Sequence, residues 1–214
     1  MTNTFMRDEL VDGTGPWHWP EGDDGAWEGP SQEFVDIKDK ILKHTRAQNV
    51  IFQAGGCCGM YPKLFAKYFK IVYTCEPSPI NYSVLHKNCP EDNILKFNCA
   101  VGEFEDKQGL IMGHPSNVGT NRIGQAEAVD TIQVDMRPLD SFNLTACDAI
   151  QFDLEGYEPQ ALMGGAKTIQ TFLPVISLET RNPADLSHVL LEQWGYRVVE
   201  TTRFDTIFAP YFVP

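Results

Sequence analysis

The sequence lacks any run of about eighteen apolar residues, so it contains no candidate transmembrane helix. Residues 1–9 have neither the basic start nor the apolar core of a secretory signal, and we therefore expect a cytoplasmic protein with no membrane partner. The six cysteines form no C-x-x-C pair and are not spaced as a zinc site. This spacing predicts reduced thiols and no metal centre.

Positive charge is also scarce. The chain has 17 Lys and Arg residues against 29 Asp and Glu residues, a formal net charge of -12, and no basic cluster stands out. Such a surface repels phosphate, so we expect no nucleic-acid partner. The 214 residues, 43% hydrophobic and 21% charged, are typical of a globular protein long enough for one good core and short for two.

A glycine-rich segment between two apolar runs is the most informative feature that is present. Residues 50–52 read as a short buried strand, and the glycines that follow turn the chain sharply into a helix. The next apolar run, 71–75, ends on Glu76, whose carboxylate can accept hydrogen bonds from both hydroxyls of a ribose. This order is typical of a nucleotide-type cofactor site, although a glycine turn that binds nothing remains the alternative.

The glycine spacing distinguishes between cofactors. Dinucleotide sites usually carry G-x-G-x-x-G, which seats a pyrophosphate on the helix N-terminus. Gly55, Gly56 and Gly59 do not fit that pattern. The looser G-x-x-x-G favours a ligand without a pyrophosphate, such as S-adenosylmethionine.

The remaining sequence alternates apolar strand-like runs with helical stripes, which predicts a mostly parallel α/β sheet closed by an antiparallel C-terminal hairpin. A less regular stretch, 102–137, interrupts the alternation and contains two short candidate strands. Predicted strands are 50–52, 71–75, 94–99, 109–112, 131–134, 148–153, 174–179, 196–201 and 206–209; predicted helices are about 61–69, from 79, 158–172 and 184–194.

Residues 1–30 form an arm of a different kind. Trp17, Trp19 and Trp27 lie among turn-forming residues, so we expect no regular element there and a first helix capped by Ser31. Tryptophans are seldom left exposed, so the arm serves either as a cap on one edge of the sheet or as a lid over the ligand site. The predicted organisation is an irregular arm, 1–30, followed by a single domain, 31–214.

Three blocks of sequence resemble the FkbM-type family of class I S-adenosylmethionine-dependent methyltransferases. The first, 50–59 (VIFQAGGCCG), is similar to the family's V-x-D-x-G-A-N-x-G cofactor loop. The second, 76–88 with 98–102, is similar to its E-P-x-P…L…N segment. The third, 139–142 with 150–158 (IQFDLEGYE), is similar to its L-D-x and K-I-D-x-E-G-x-E patterns. The resemblance implies a doubly wound, seven-stranded sheet with helices on both faces.

The resemblance also implies roles for the residues around the cofactor. Glu76 would bind the ribose diol, Asn98 and Ala100 would flank adenine, and Asp153 would face the ammonium group or the acceptor. Gln53 stands where the family usually has aspartate, and it can offer the methionine end a hydrogen bond but no charge. The cofactor-binding set implied is Gln53, Gly55, Gly56, Gly59, Glu76, Pro77, Asn98, Ala100 and Asp153.

The implied activity is O-methylation of a hydroxyl on a small molecule or saccharide. Glu155 is the leading candidate for the base, with Asp153 beside it as the second catalytic residue. The candidate acceptor-binding residues are His114, Asn117, Glu179, Trp17 and Trp19. A nicotinamide-dependent oxidoreductase and a non-catalytic, methyltransferase-like binding module are the alternatives, and no feature of the sequence indicates an oligomeric state.

Overall fold

The computed structural model of the chain describes residues 4–8, 15–124, 131–180 and 182–211, with residues 29–32 described by their backbone alone. The strands are β1 (Thr4–Arg7), β2 (Trp17–Pro20), β3 (Val50–Ala54), β4 (Ile71–Cys75), β5 (Ile94–Phe97), β6 (Ala100–Val101), β7 (Asp106–Ile111), β8 (Arg122–Gly124), β9 (Thr131–Arg137), β10 (Ala149–Phe152), β11 (Val175–Leu178), β12 (Tyr196–Thr201) and β13 (Thr206–Pro210). The α-helices are α1 (Gly25–His44), α2 (Met60–Phe65), α3 (Pro79–Asn88), α4 (Glu158–Met163), α5 (Ala166–Phe172) and α6 (Leu186–Gln193). None of the helices in these ranges has the length and apolar character needed to cross a bilayer.

A seven-stranded sheet forms the centre of the molecule, in the order β12-β13-β11-β10-β3-β4-β5. The neighbours β5, β4, β3, β10 and β11 are parallel, whereas β13 runs antiparallel to both β11 and β12. The mixed α/β fold with a seven-stranded sheet that the sequence predicts is therefore confirmed. The parallel strands bring their carboxyl ends to one edge, where ligands bind in sheets of this kind.

Alternate residues of the central strands enter two different apolar clusters, because successive side chains of a strand point to opposite faces. Ile51 belongs to the first cluster and Phe52 to the second, and Val175 and Ile176 are divided in the same way. The first cluster includes residues of α1, α2 and α3, and the second includes residues of α4, α5 and α6.

The N-terminal arm differs from the expectation of an irregular segment. β2 pairs antiparallel with β1, and α1 begins at Gly25 rather than at Ser31, so the expected boundary at residue 30 lies inside this helix. The reason is burial in the tertiary structure. Trp17 and Trp19, two residues apart on one face of β2, are each only 1% exposed and pack in the first cluster. Local turn-forming residues do not reveal that packing.

The stretch between β5 and β10 forms a second sheet, in the order β6-β9-β7-β8. The two strands predicted there are present and longer than expected, as β7 and β9. The segment that joins β7 to β8, residues 112–121, includes a short 3-10 helix at Val118–Thr120. Residues 117–121 of this segment reach the edge of the central sheet at which the parallel strands end.

Candidate functional site

A cavity of about 400 Å³ lies at the carboxyl ends of the parallel strands, within the usual size range of ligand pockets. It is lined by residues 54–58 at the end of β3 and beyond, Glu76 after β4, Asp153 after β10 and Glu179 after β11. The start of α1 and the segment 117–121 line it as well. The cavity therefore occupies the place at which the sequence predicted a cofactor.

Gly55 allows the loop after β3 to lie in direct contact with the end of β10 beside the cavity. Its φ of +82° lies in the left-handed region, and its N–H donates to the carbonyl oxygen of Cys75 at 3.1 Å. A Cβ atom at this position would lie 1.9 Å from the carbonyl oxygen of Asp153. Only glycine fits, because the loop after β3 is in direct contact with the end of β10.

Glu76 presents a carboxylate to the cavity and is held by the backbone. Its Oε2 accepts from the N–H of Cys57 at 2.7 Å, and its Oε1 accepts from the N–H of Ser78 at 2.8 Å. Burial raises the pKa of Glu76 to about 7, although these two hydrogen bonds act in the opposite direction. Each carboxylate oxygen has a second lone pair, so the group can still accept from a ligand diol.

Gln53 does not reach the cavity, contrary to the expectation that it binds the methionine end of the cofactor. Its side chain is fully buried, its Nε2 donates to the carbonyl oxygen of Gly55 at 3.0 Å, and its Oε1 accepts from the hydroxyl of Thr74. Both ends of the amide therefore have partners within the protein, one in the glycine loop and one on β4.

Four other predicted site residues also lie outside the cavity lining. Asn98 donates to the backbone oxygens of Glu76 and Pro77, at 2.7 and 3.1 Å, and so shapes the segment that carries the carboxylate. His114 is exposed and shares a hydrogen bond of 2.7 Å with the hydroxyl of Ser116 within its own turn. Gly59, with φ +98°, is the residue that caps the N-terminus of α2, and Trp17 is buried in the first cluster.

The structure brings the other predicted residues together around the cavity. They come from seven separate segments of the chain, four of which directly follow parallel strands that end at the same edge of the central sheet. The residues in this group are Gly55, Gly56, Glu76, Pro77, Ala100, Asn117, Asp153, Glu155, Glu179 and Trp19.

Three carboxylates, which we call the mouth carboxylates, gather at one end of the cavity, its mouth. One oxygen of each of Asp153, Glu155 and Glu179 lies within 4.8 Å of the others. Burial raises the pKa of Asp153 well above its ordinary value, and the negative charge of Glu179 adds to this effect. Burial, followed by the charge of Glu179, also raises the pKa of Glu155 to about 7. The prediction of no metal centre rested on the cysteines, whereas this group is made of oxygen ligands.

The turn that carries Glu155 is conformationally restrained. Glu155 itself has φ +54° and is followed by Gly156 at φ +93°. A left-handed backbone is uncommon for a residue other than glycine, and residues held in sparsely populated conformations cluster at functional sites. The buried carboxylate of Glu158 accepts from the N–H of Leu154 at 2.8 Å and so fixes the start of the turn.

Several lining residues were not predicted from the sequence, among them Tyr61, Asn81 and Asp205. Tyr61 lies on the apolar stripe of α2, so its spacing indicates packing alone. Burial raises the pKa of Tyr61 well above its ordinary value, and the charges of Asp205 and Asp153 raise it further. Asp205 is 3% exposed, accepts from the hydroxyl of Ser177 at 3.0 Å, and has its pKa raised to about 7 by burial. It lies in the hairpin turn, which the sequence marked only as a turn.

The segment 117–121 forms one side of the cavity and is tied to distant parts of the chain. Asn81 donates through Nδ2 to the carbonyl oxygen of Val118 at 3.0 Å. The N–H of Gly25 donates to the carbonyl oxygen of Ser116 at 2.9 Å. Trp19 closes the same side and packs edge-to-face on Trp27, with ring centroids 5.0 Å apart.

Comparisons with solved structures show the same fold in several methyltransferases. The FkbM methyltransferase of Methylobacillus flagellatus KT is 17% identical, with a TM-score of 0.52 over 85% of this chain and 54% of its own length. Trm5b of Pyrococcus abyssi is 13% identical, with a TM-score of 0.50 over 96% of this chain and 54% of its own. The tRNA (uracil-54, C5)-methyltransferase of Pyrococcus abyssi, solved with S-adenosyl-L-homocysteine, is 11% identical, with a TM-score of 0.51 over 96% of this chain and 42% of its own.

The chain thus spans about half the length of these structures. Because one of them acts on tRNA by its name, the comparisons do not support the expectation that nucleic acid is excluded as a partner. No curated protein matches the chain.

The methyltransferase FkbM domain matches residues 58–198, about two thirds of the chain. The match includes Glu76, the three mouth carboxylates and the strands that carry them. The chain therefore belongs to the FkbM methyltransferase family.

Proposed function

We propose that the chain is an S-adenosylmethionine-dependent methyltransferase that methylates a hydroxyl on a small molecule or saccharide. The observation that carries the proposal is the Glu76 carboxylate, held by two backbone N–H groups in the wall of the cavity beside the glycine loop. Alternate residues of the central strands belong to two apolar clusters, and each cluster includes residues of a different set of helices. This division supports a doubly wound arrangement of the sheet.

The residues present fit this cofactor. Glu76 would accept from the ribose hydroxyls, and Gly55, at which a Cβ atom would collide with the carbonyl oxygen of Asp153, keeps the glycine loop against the end of β10 beside the cavity. Pro77 and Ala100 offer apolar surface for the adenine ring. In the described parts of the chain, no Lys, Arg or His lines the cavity, and the acidic lining complements a ligand whose net charge is positive.

The bound cofactor would supply a methyl group made electrophilic by the sulfonium. This chain's residues would position the acceptor hydroxyl and receive its proton. Glu155 is the proposed base, because it is partly exposed at the mouth and is held in a strained turn beside Asp153. Trp19 and the segment 117–121 cover the opposite side and would exclude water from the reacting groups.

Isothermal titration calorimetry with S-adenosylmethionine, S-adenosylhomocysteine and NAD tests the cofactor. We expect Glu76→Ala to weaken S-adenosylhomocysteine binding by about 1.5–3 kcal/mol, the range for hydrogen bonds to a charged group. Glu105→Ala, which removes an exposed carboxylate of the second sheet region, is the matched control and should bind like the parent. Equal affinity of parent and Glu76→Ala would overturn the assignment.

The same titration separates the alternative functions. NAD binding without S-adenosylmethionine binding would indicate an oxidoreductase, and binding of neither would indicate a non-catalytic module. Transfer of a labelled methyl group to a panel of sugars and phenols tests the acceptor. Transfer to tRNA and to none of these hydroxyl compounds would overturn the proposed acceptor class while leaving the cofactor assignment intact.

A further inference from the structure

Asn81, in the first turn of α3, lines the cavity with an amide of which only one end has a partner. Its Nδ2 donates to the carbonyl oxygen of Val118 at 3.0 Å. Its Oδ1 is buried, the residue being 2% exposed, and accepts no hydrogen bond from any part of the chain that the structure describes. Because an unpaired buried acceptor costs free energy, we expect the partner of Oδ1 to be a bound group.

Two residues connect this amide to the Glu76 carboxylate. The N–H of Cys57 donates to Oε2 of Glu76 at 2.7 Å, and the Sγ of Cys57 lies 3.9 Å from Nδ2 of Asn81. The N–H of Ser78 donates to Oε1 of Glu76 at 2.8 Å, and the hydroxyl of Ser78 accepts from the N–H of Asn81 at 3.4 Å. The unpaired oxygen therefore belongs to a side chain beside the carboxylate to which the ribose is assigned.

The group that completes the amide must be a hydrogen-bond donor, and a ribose carries two hydroxyls that can donate. The other donors of S-adenosylmethionine are the amino group of adenine, on the far side of the base from the ribose, and the ammonium group of the methionine end. The ribose is thus the part of the cofactor that brings donors to the neighbourhood of Glu76 and Asn81.

We propose that Oδ1 of Asn81 accepts a hydrogen bond from one ribose hydroxyl of the bound cofactor, beside the Glu76 carboxylate. This assignment rests on the proposed function. Nδ2 of the same amide holds Val118, so a single side chain joins the ribose to the segment 117–121, which forms one side of the cavity. Cofactor binding therefore stabilises that side of the cavity as well as the ribose site.

Isothermal titration calorimetry tests the contact, with S-adenosylhomocysteine and its 2′-deoxy and 3′-deoxy analogues as ligands. We expect Asn81→Ala to weaken S-adenosylhomocysteine binding about tenfold. For the analogue that lacks the hydroxyl bound by Asn81, the parent and Asn81→Ala should differ less than about twofold, because the interaction is then absent from both proteins. Asn81→Asp has nearly the same shape and keeps an acceptor oxygen, so it should still distinguish the three ligands as the parent does.

Hydrogen exchange of the backbone amides tests the connection to the segment 117–121. Saturating S-adenosylhomocysteine should slow exchange in this segment of the parent, and the slowing should be smaller in Asn81→Ala. Asn93→Ala is the matched control, because the amide of Asn93 donates to the carbonyl oxygens of Ala66 and Phe69 at 3.0 Å but lies outside the cavity lining. It should leave both S-adenosylhomocysteine affinity and exchange in the segment unchanged.

The outcomes separate this assignment from the proposed function. Absence of S-adenosylhomocysteine binding by the parent would overturn the proposed function and the assignment with it. Binding by the parent with an equal loss for all three ligands in Asn81→Ala would give Asn81 a structural role only and would overturn the assignment alone. Unchanged S-adenosylhomocysteine affinity in Asn81→Ala would do the same.

Discussion

The Cα of Gly55 faces the carbonyl oxygen of Asp153 so closely that an added Cβ atom would lie 1.9 Å from that oxygen. The two residues are far apart in sequence but follow adjacent parallel strands, β3 and β10. This contact joins the cofactor loop to the strand end that carries the mouth carboxylates. The glycine loop and the end of β10, which carry different parts of the candidate site, are therefore in direct backbone contact.

Gly55→Ala is expected to destabilise the protein through this contact. Gly22→Ala is the matched control, because Gly22 has a similar φ of +85° but nothing within 4 Å of the added Cβ. Gly22→Ala should cost about 1–2 kcal/mol from the left-handed backbone alone. Gly55→Ala should cost at least about 2 kcal/mol more, measured as the free energy of unfolding in urea. Equal losses would show that the loop moves away from β10 without strain.

Gln53→Asp is expected to lower stability and to leave S-adenosylhomocysteine binding no tighter. The shorter side chain loses the donor to Gly55 and places a carboxylate in a fully buried position. The loss should be about 1–3 kcal/mol or more. Gln48→Asp makes the same change at an exposed residue and serves as the control. Tighter binding in Gln53→Asp would mean that residue 53 reaches the cofactor after all.

Cofactor affinity should rise with pH because the pKa of Glu76 is raised to about 7. The ionised carboxylate accepts from both ribose hydroxyls, whereas the protonated form must donate from one oxygen. Between pH 6 and pH 8 the ionised fraction of a group with this pKa increases about tenfold, and the association constant should follow it. Calorimetry at both pH values checks this. Glu76→Gln should bind weakly and with little dependence on pH in this range.

Asp205 should make the protein less stable as the pH rises toward neutrality. Its pKa in the folded state is raised to about 7 from an ordinary value of 3.8, so the folded chain retains a proton that the unfolded chain has already lost. The stability that this proton contributes is fully present below about pH 4 and is lost by about pH 7. Urea denaturation at a series of pH values measures it.

Asp205→Asn removes this titration while its amide oxygen can still accept from Ser177. The variant should match the parent near pH 4 and exceed its stability by at least about 1 kcal/mol at pH 7.5, since one pKa unit corresponds to about 1.4 kcal/mol. Asp92→Asn, at an exposed position, should have no such effect. A parent and an Asp205→Asn variant with parallel pH profiles would contradict this role of burial.

Trp17→Ala should act on stability and not on ligand binding. Trp17 is 1% exposed in the first cluster and does not line the cavity, whereas Trp19 does. Truncation of a buried tryptophan costs about 3–5 kcal/mol. We expect this loss in urea denaturation, with unchanged S-adenosylhomocysteine affinity in the folded protein. Trp19→Ala should lower both, which would distinguish the capping part of the arm from the part that covers the ligand.

The sequence was sufficient for the features that depend on local order. Strand, glycine turn and acidic residue follow one another directly, so the positions of Gly55 and Glu76 at the strand ends could be predicted. Gln53 could not be interpreted correctly, because the direction of its amide depends on Thr74, which the fold brings beside it from the next strand. Tyr61 shows the same limit, because its place on an apolar stripe does not reveal that it lines the cavity or that burial and the charges of Asp205 and Asp153 raise its pKa.

The acidic lining of the cavity has a consequence for the cell's other metabolites. Nucleotides, sugar phosphates and dinucleotide cofactors are abundant, and many share an adenosine or sugar moiety with the proposed ligands. Each would bring phosphate charge into a space whose described lining holds five carboxylates and no basic side chain. Repulsion of this kind rejects competitors without any contact specific to them. The cavity would select its ligands as much by the groups that it repels as by those that Glu76 binds.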